Sequence, residues 1–240
     1  MKQLDIFIIH LDRIEPLFSR LKTQLDEFGL SYNVFSAFDG ERIKNPGMKK
    51  LRRIDNPMYK QFEYKRAYSP GSLSCTLSHL AIMKYAKMMK LKSFIVLEED
   101  AILSKNFVQR LEELKYVPEN ADILYLGGIY HKDKKPSLKE QECKTIYDAK
   151  LMELYGLHGY VMYEKGYDTI INIVESHEDY IDSTIMYNIR KTNKIRGYAM
   201  VPFCVYQDND FSNTLNKITK NRHLTKSLYN DNNEPVRALF

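Results

Sequence analysis

The 240-residue chain contains no tryptophan and only three cysteines. The absence of tryptophan disfavours a carbohydrate-binding module built on a tryptophan platform, although 18 tyrosines and 11 phenylalanines can supply stacking surfaces. Cys75, Cys143 and Cys204 are odd in number and far apart along the sequence. In the absence of a secretory signal, this usage indicates reduced thiols, and we expect a cytoplasmic protein.

Long apolar runs are absent as well. The first ten residues hold a short apolar run beside Asp5, without the length or the small-residue cleavage site of a signal peptide. No stretch approaches the roughly 20 apolar residues that a membrane span requires. The chain is long enough for one domain with a substantial core, and no repeat or linker divides it. We therefore predict one domain over residues 1–210, followed by a polar, basic tail at 211–240.

The net charge of +5 is gathered into clusters of lysine and arginine. One cluster lies in residues 41–70, which contain three prolines and no clear period, and others lie at 84–92 and 217–226. Such clusters attract phosphates, anionic lipid headgroups or nucleic acid, although a solvated surface is their more common reason. We predict that residues 41–70 form a surface loop, a candidate lid, and that residues 131–150 form a second, flexible loop.

Strand-like and helix-like segments alternate along the chain, which predicts an α/β fold. Predicted strands lie at residues 5–9, 32–36, 93–97, 123–126 and 159–163, predicted helices at 15–28, 73–89, 106–114, 166–175 and 181–190, and a mostly extended segment at 198–206. The segment 93–97 is largely apolar, which is typical of a central strand covered on both faces. We predict a mixed sheet flanked by helices in a single domain.

This apolar segment ends on three consecutive carboxylates, Glu98, Glu99 and Asp100. Close carboxylates repel one another and lose hydration near a core, and a divalent cation offsets both costs. Mg²⁺ and Mn²⁺ bind carboxylate oxygens together with substrate phosphates, and ligands of open α/β sheets gather at the carboxyl ends of strands. In an extended chain Glu98 and Asp100 face one side and Glu99 the other. The triplet indicates a metal site, with a charged turn after a buried strand as the alternative.

Four segments in fixed order carry a family resemblance. They are Ile9-His10-Leu11-Asp12-Arg13, Ala37-Phe38-Asp39-Gly40, Gly71-Ser72-Leu73-Ser74-Cys75-Thr76-Leu77-Ser78-His79 and Val96-Leu97-Glu98-Glu99-Asp100. With weaker matches at 156–160, 181–182 and 207–212, the chain resembles glycosyltransferase family 25, which includes bacterial lipooligosaccharide galactosyltransferases and collagen galactosyltransferase domains. Two positions depart from the family pattern: His10 replaces the usual Asn before Leu-Asp-Arg, and Glu99 replaces the middle Asp of Glu-Asp-Asp.

The resemblance implies a GT-A-like (Rossmann-like) mixed sheet and an enzyme that transfers a hexose with inversion at the anomeric carbon. It also implies Mn²⁺ or Mg²⁺, a nucleotide-sugar donor, often UDP-galactose, and a hydroxyl of a glycan or glycolipid as acceptor. A lipid-linked acceptor would bring the basic clusters to a membrane surface. No nucleic acid is expected as a partner.

The matched positions carry expected roles. Asp100 is expected to bind the metal, with Glu98 and Gln207 completing the shell. Nucleotide-sugar contacts are expected from Leu11, Asp12, Arg13, Asp39, Gly71, Ser78, His79, Glu98, Glu99 and His158. Inverting transfer needs a base for the acceptor hydroxyl. Asp182 is the first candidate and Asp179 the second, and capping of the following helix is an equal alternative for both.

Three other functions compete with this one. A nucleotidyltransferase also uses carboxylates and a metal, but the sequence lacks the Gly-rich phosphate loop such enzymes carry near their start. A basic nucleic-acid-binding domain accounts for the charge and the tyrosines, but not for carboxylates that end a buried strand, because carboxylates repel phosphate. A degenerate transferase that keeps the fold without activity is the third alternative.

Overall fold

The computed structural model describes residues 4–13, 15–40, 70–130, 145–176 and 180–208. The tail predicted at 211–240 and the candidate base Asp179 lie outside the described residues. The same holds for the predicted lid except Pro70, and for most of the predicted second loop.

Strands and helices alternate over the described residues, as the α/β pattern predicts. The strands are β1 Asp5–His10, β2 Asn33–Ser36, β3 Ser93–Glu98, β4 Ala101–Leu103, β5 Ile123–Tyr125, β6 Ile129–Tyr130, β7 Ile146–Asp148, β8 Leu154–Tyr155, β9 Gly159–Tyr163, β10 Gly197–Met200 and β11 Val205–Gln207. The α-helices are α1 Glu15–Glu27, α2 Pro70–Met88, α3 Phe107–Leu111, α4 Tyr167–Ser176 and α5 Ile181–Arg190. Short 3₁₀ segments cover Glu112–Tyr116, Ala149–Leu151 and Glu164–Gly166.

Seven strands form one mixed sheet in the order β2-β1-β3-β9-β5-β10-β7. Strand β1 pairs in parallel with β2 and β3, whereas β9 runs antiparallel to both of its neighbours, β3 and β5. Strand β10 is parallel to β5 and antiparallel to β7. The pairs β4–β11 and β6–β8 are antiparallel and separate from this sheet. The structure confirms the predicted fold class, a mixed α/β sheet flanked by helices.

Alternate residues of the central strand β3 join two cores on opposite faces of the sheet. Phe94 and Val96 pack in the core that contains residues of α2, α4 and α5, whereas Ile95 and Leu97 pack in the core that contains residues of α1 and α3. The buried ring of Phe94 lies edge-on to that of Phe7, with 5.7 Å between centroids. Because helices cover both faces, β3 has little room for polar side chains before Glu98.

The carboxyl ends of β1, β2 and β3 meet at one edge of the sheet. Antiparallel β9 begins at this edge, where Gly159 is opposite Leu97 and the Glu98 N–H donates to the His158 carbonyl at 3.0 Å. The β4–β11 pair sets Gln207 opposite Ala101, which directly follows the acidic triplet. Three chain segments distant in sequence therefore surround the triplet at this edge.

The prediction of a flexible loop over residues 131–150 is wrong at the C-terminal end of that range. Residues Ile146–Asp148 form β7, an edge strand antiparallel to β10, and the 3₁₀ segment Ala149–Leu151 follows. An edge strand has a neighbour on one side only and tolerates polar residues. Because residues 131–150 are mostly polar, their composition did not indicate β7, which is stabilised by its pairing with β10.

The described residues bear on membrane contact in two ways. Lysines of the cluster at 84–92 form ion pairs with acidic residues after β9, and the pairs are Lys84–Glu175, Lys87–Asp168 and Lys92–Glu164. Part of the charge of this cluster is thus neutralised within the fold. Among the helices that the structure describes, none combines the length and the apolar composition needed to cross a bilayer.

We predict that the edge of the sheet tolerates no side chain at Gly127. A Cβ there would press on the Val205 carbonyl oxygen and lie 2.6 Å from Nε2 of His158, whereas a Cβ at Gly128 meets its nearest atoms at 3.4 Å. Gly127→Ala should lower the free energy of unfolding by about 1–3 kcal/mol, measured by urea denaturation. Gly128→Ala is the matched control and should cost far less. Equal losses in the two variants would contradict this packing.

Candidate functional site

Glu98 ends β3 on the side of the sheet that faces α2. Its Oε1 lies 3.1 Å from Nε2 of the fully buried His79, whose Nδ1 lies 3.1 Å from the Tyr160 hydroxyl. Cys75, one turn before His79 on α2, has its Sγ 3.9 Å from the same carboxylate oxygen. Burial acts to raise the pKa of Glu98, but the hydrogen bond from His79 and the charges of His79 and His158 outweigh it and leave this pKa below its usual value. Glu98 is therefore held as a carboxylate.

Glu99 turns toward the end of β1 instead. Its Oε2 lies 2.9 Å from Nδ1 of His10 and accepts the Leu11 N–H at 2.9 Å. The His10 ring stacks on Phe18 of α1, with 4.2 Å between centroids. Burial raises the pKa of Glu99, and the hydrogen bonds from His10 and Leu11 oppose the rise. The two positions that depart from the family pattern, His10 and Glu99, are thus in direct contact.

Asp100 turns toward β11. Its Oδ2 accepts a hydrogen bond from Nε2 of Gln207 at 3.0 Å, and its backbone carbonyl accepts the Asp208 N–H at 2.9 Å. Its Oδ1 is buried and has no hydrogen-bond partner among the described residues. Burial and the charge of Glu98 raise the pKa of Asp100 well above its usual value, Gln207 opposes this rise, and the charges of Glu99 and Asp208 add to it. Among the described residues, Asp100 therefore has no ion pair that would compensate its charge.

This arrangement fits a hard divalent cation. Asp100 offers a buried oxygen that has no partner in the described part of the chain, Glu98 is close enough for its charge to act on Asp100, and Gln207 contributes an amide beside Asp100. Carboxylate and amide oxygens are ligands that Mg²⁺ and Mn²⁺ accept. Gln207 donates to Asp100 through its amide nitrogen. The amide oxygen is not used in this hydrogen bond and is the candidate ligand atom. The three predicted metal residues are therefore brought together.

An open cleft of ≈ 380 Å³ lies at the ends of β1 and β2. Its lining residues are Leu11, Asp12, Arg13, Phe35, Ser36, Ala37, Phe38 and Asp39. Nε of Arg13 lies 3.5 Å from Oδ2 of Asp39 across the cleft, and the Ser36 hydroxyl donates to both carboxylate oxygens of Asp12 at 2.9 and 3.0 Å. Four residues predicted to contact the nucleotide-sugar, Leu11, Asp12, Arg13 and Asp39, therefore share one cleft.

Helix α2 touches both parts of the site through adjacent residues. The Ser78 hydroxyl accepts the Phe38 N–H at 2.9 Å and so holds the turn that carries Asp39, while His79 contacts Glu98. Gly71, in the first turn of the same helix, accepts the Ser74 hydroxyl on its carbonyl at 2.9 Å. Ser78 and His79 are almost fully buried, so in this structure they position the cleft and Glu98 rather than face a ligand.

His158 is also enclosed. Its ring packs beside Gly127 and hydrogen-bonds to the backbone of Val205, and its Nδ1 has no partner in the part of the chain that the structure describes. Burial lowers the pKa of His158, and the charge of Glu98 and the bond to Val205 oppose this. In the structure His158 is buried next to Glu98, whereas the sequence predicted that it contacts the nucleotide-sugar.

Asp182 lies in the first turn of α5 and uses both oxygens on backbone amides. Oδ1 accepts the Ser183 N–H at 2.7 Å, and Oδ2 accepts the Gly156 N–H at 2.9 Å. Gly156 has a left-handed backbone, with φ +82°, that favours glycine. The charge of Asp182 still reaches Cys75 and Tyr125, which places the carboxylate near the cluster around Glu98. The Asp182 carboxylate thus ties the first turn of α5 to the turn at Gly156, and its role as a base remains a prediction.

Several residues of the site escaped the sequence analysis. Cys75 and Tyr160 join the surroundings of Glu98, and Arg20 of α1 forms an ion pair with Asp208 next to Asp100. Arg20 and Asp208 are separated by 188 positions, and no local pattern signals such a pair. For Cys75, in contrast, a local signal exists: it lies four residues before His79, a spacing that puts both on one face of a helix.

Comparison with known proteins supports the resemblance. Residues 3–185 match the family described as "Glycosyltransferase family 25 (LPS biosynthesis protein)". The chain belongs to glycosyltransferase family 25. This membership confirms the family that the sequence motifs predict.

Relatives within family 25 differ in their reported status. The chain is 27% identical to procollagen galactosyltransferase 2 of Homo sapiens over 174 residues, 70% of this chain and 27% of the relative. It is 31% identical over 127 residues to a Bos taurus protein named "Probable inactive glycosyltransferase 25 family member 3", 51% of this chain and 21% of the relative. The chain spans about a quarter of the length of these curated relatives.

A solved structure has a similar overall course. It is "crystal structure of a glycosyltransferase involved in the glycosylation of the major capsid of PBCV-1", with a TM-score of 0.43 and 9% identity over 83% of this chain and 82% of that one.

We predict that the His10–Glu99 contact stabilises this family 25 chain. Both contacts end on the same Glu99 oxygen, Oε2, so Glu99→Gln replaces a charged acceptor by a neutral amide and should lower the free energy of unfolding by about 1–3 kcal/mol. A cycle with His10→Ala and the double variant should give a coupling of about 0.5–3 kcal/mol in urea denaturation.

Glu15→Gln is the matched control for this cycle. Glu15 lies 3.7 Å from Nε2 of the same ring, but its side chain is 67% exposed. An exposed pair contributes about 0–1 kcal/mol. A coupling for Glu15 as large as that for Glu99 would contradict the assignment of the buried contact as the stabilising one.

Proposed function

We propose that this chain transfers a hexose, with galactose favoured, from a UDP-sugar to a hydroxyl of a glycan or glycolipid acceptor, with metal dependence and inversion at the anomeric carbon. One observation carries the proposal: Asp100 presents a buried oxygen without a partner among the described residues, beside Glu98 and Gln207. The cleft of Asp12, Arg13 and Asp39 opens at the same edge of the sheet. Family membership adds the sugar-transfer chemistry, and the name of the human relative favours galactose.

Asp100, Glu98 and Gln207 would hold Mn²⁺, or Mg²⁺ in its place. When bound, the ion would act as a Lewis acid that neutralises charge on the departing nucleoside diphosphate. His79 and His158 keep Glu98 ionised for this task, as the direction of its pKa shift supports. Gln207 orients Asp100 through its hydrogen bond.

The cleft would bind the nucleoside part of the donor. Phe35 and Phe38 supply aromatic surface, and Phe38 is 45% exposed. Asp12 offers acceptor oxygens for ribose hydroxyls, and Arg13 offers a cation for phosphate. The Glu99 carboxylate fixes the Leu11 N–H and so the start of this segment.

Asp182 would accept the proton of the acceptor hydroxyl. Its two oxygens accept the Ser183 and Gly156 N–H groups, so the proposal requires the acceptor hydroxyl to displace the Gly156 N–H. We further propose a cytoplasmic enzyme whose basic segments, 41–70 and 211–240, contact a membrane that carries the acceptor.

Replacing Asp100 should separate stability from activity. Asp100→Asn removes a buried charge that Glu98 repels, so we expect Tm without metal to rise by about 2–4 °C, the shift that ~1 kcal/mol produces in a domain of this size. Transfer should fall by at least about 100-fold, because an amide is a weaker metal ligand than a carboxylate. Thermal unfolding and release of nucleoside diphosphate measure the two effects.

Asp168→Asn is the matched control, because Asp168 is a 73% exposed partner of Lys87. It should change neither quantity appreciably. Full transfer activity in Asp100→Asn would refute the metal assignment.

A donor panel tests the substrate class directly. UDP-galactose with Mn²⁺ should add RT ln(1 + [L]/Kd) to the free energy of unfolding, and it should therefore raise Tm more than GDP-sugars, CMP-sugars or UDP-galactose with a chelator. Hydrolysis or transfer should follow the same order. Equal stabilisation by all donors, or none by any, would contradict the proposed donor.

A further inference from the structure

A thiol, an imidazole and a carboxylate converge behind the transfer site. Cys75 and His79 lie one helical turn apart on α2, and Glu98 ends β3 opposite them. Nε2 of His79 and Sγ of Cys75 lie 3.1 and 3.9 Å from the same Glu98 oxygen, and the three donor atoms lie within 4.8 Å of one another. The proposed transfer chemistry gives Cys75 no task.

The donor set selects a different kind of ion from the one proposed for sugar transfer. Thiolate and imidazole suit Zn²⁺, whereas Mg²⁺ and Mn²⁺ prefer oxygen ligands. Zinc bonds of roughly 2.0–2.3 Å place the ligand atoms of a tetrahedral site roughly 3.3–3.8 Å apart. The three atoms need only small side-chain adjustments to reach these separations. Three protein ligands would leave one coordination position open. Because the Glu98 side chain is partly exposed, solvent reaches this side of the site.

We propose that Cys75, His79 and Glu98 form a binding site for Zn²⁺ or a similar borderline-soft divalent cation, and that occupation of this site withdraws Glu98 from the transfer site and inhibits the enzyme. The binding half stands on the geometry of the three donors. The inhibitory half rests on the proposed function, because it requires Glu98 to serve sugar transfer.

The neighbours of His79 support a metal ligand at this position. The buried ring has its Nδ1 3.1 Å from the Tyr160 hydroxyl, so with Nε2 on a metal the Nδ1–H donates to that oxygen. Second partners of this kind fix the tautomer and orientation of ligating histidines.

Charge at the site is balanced by one divalent cation. When the metal binds, the Cys75 thiol releases its proton to solvent and the resulting thiolate and the Glu98 carboxylate together carry two negative charges. The charges of Asp182 and Asp100 also act on the sulfur. A cation near Cys75 therefore meets a region of negative potential, without a lysine or arginine ion pair to Glu98 among the described residues.

Cobalt provides a readout that is independent of transfer. Co²⁺ bound by a thiolate gives a sulfur-to-metal charge-transfer absorption, which we expect from the full chain with one equivalent of Co²⁺ and expect Zn²⁺ to abolish. Cys75→Ser should lose this absorption and should bind Zn²⁺ at least about 10-fold more weakly in a competition titration with a chromophoric chelator. Cys143→Ser is the matched control and should keep both properties. Cys75→Ala, with Tm measured for every variant, checks that the loss does not come from unfolding.

Inhibition is measured separately, with saturating Mn²⁺ and increasing Zn²⁺, relative to each variant without Zn²⁺. Wild type and Cys143→Ser should be inhibited, and Cys75→Ser should require about 10-fold more Zn²⁺. Absence of the absorption in wild type, or its loss only in Cys143→Ser, would overturn the site. The absorption without inhibition of an active enzyme would overturn the inhibitory half. The absorption in a chain without transferase activity would uphold the metal site while refuting the proposed function.

Discussion

Three consecutive carboxylates lie at the end of a strand that is covered on both faces, where their mutual repulsion has to be compensated. Their partners come from different elements: His79 of α2 for Glu98, His10 at the end of β1 for Glu99, and Gln207 of β11 for Asp100. Mutual repulsion falls with distance and with each hydrogen bond to an ionised oxygen. At this edge of the sheet, each of the three carboxylates is therefore held by a hydrogen-bonding side chain from a different element.

The three carboxylates are not stabilised equally, and this difference bears on the proposed function. Glu98 is stabilised as an anion, whereas Asp100 keeps a buried oxygen without a partner among the described residues. A purely structural acidic turn would gain from satisfying both carboxylates or from losing one. Retaining a costly carboxylate beside a favoured one is the pattern expected where a cation completes the site. Stability given up at Asp100 is thus consistent with metal-dependent chemistry.

Sequence periodicity anticipated the elements whose stability is local or whose burial is complete. Strand β3 and helices α1 and α5 lie within one residue of their predicted bounds. Of the metal candidates, Gln207 is hydrogen-bonded to Asp100, and Glu98 is near enough for its charge to act on Asp100. Strands β4, β6, β7 and β8 were missed, since two or three residues carry no readable period and depend on partners distant in sequence. The Glu99 contact with His10, across 89 positions, was hidden for the same reason. What the motif showed as two departures is one interaction.

The stretch Gly71–His79 acquires a physical meaning from the structure. Successive residues of an α-helix project about 100° apart, so Ser78 and His79 cannot serve the same neighbour. Ser78 holds the backbone at Phe38 beside the cleft, and His79 holds Glu98 beside the metal candidates. A single helix therefore contacts both the cleft and the acidic triplet. The donor that we propose would bridge the two and would bind only while this helix keeps its register, and Cys75 lies on the same helix, one turn from the residue that contacts Glu98.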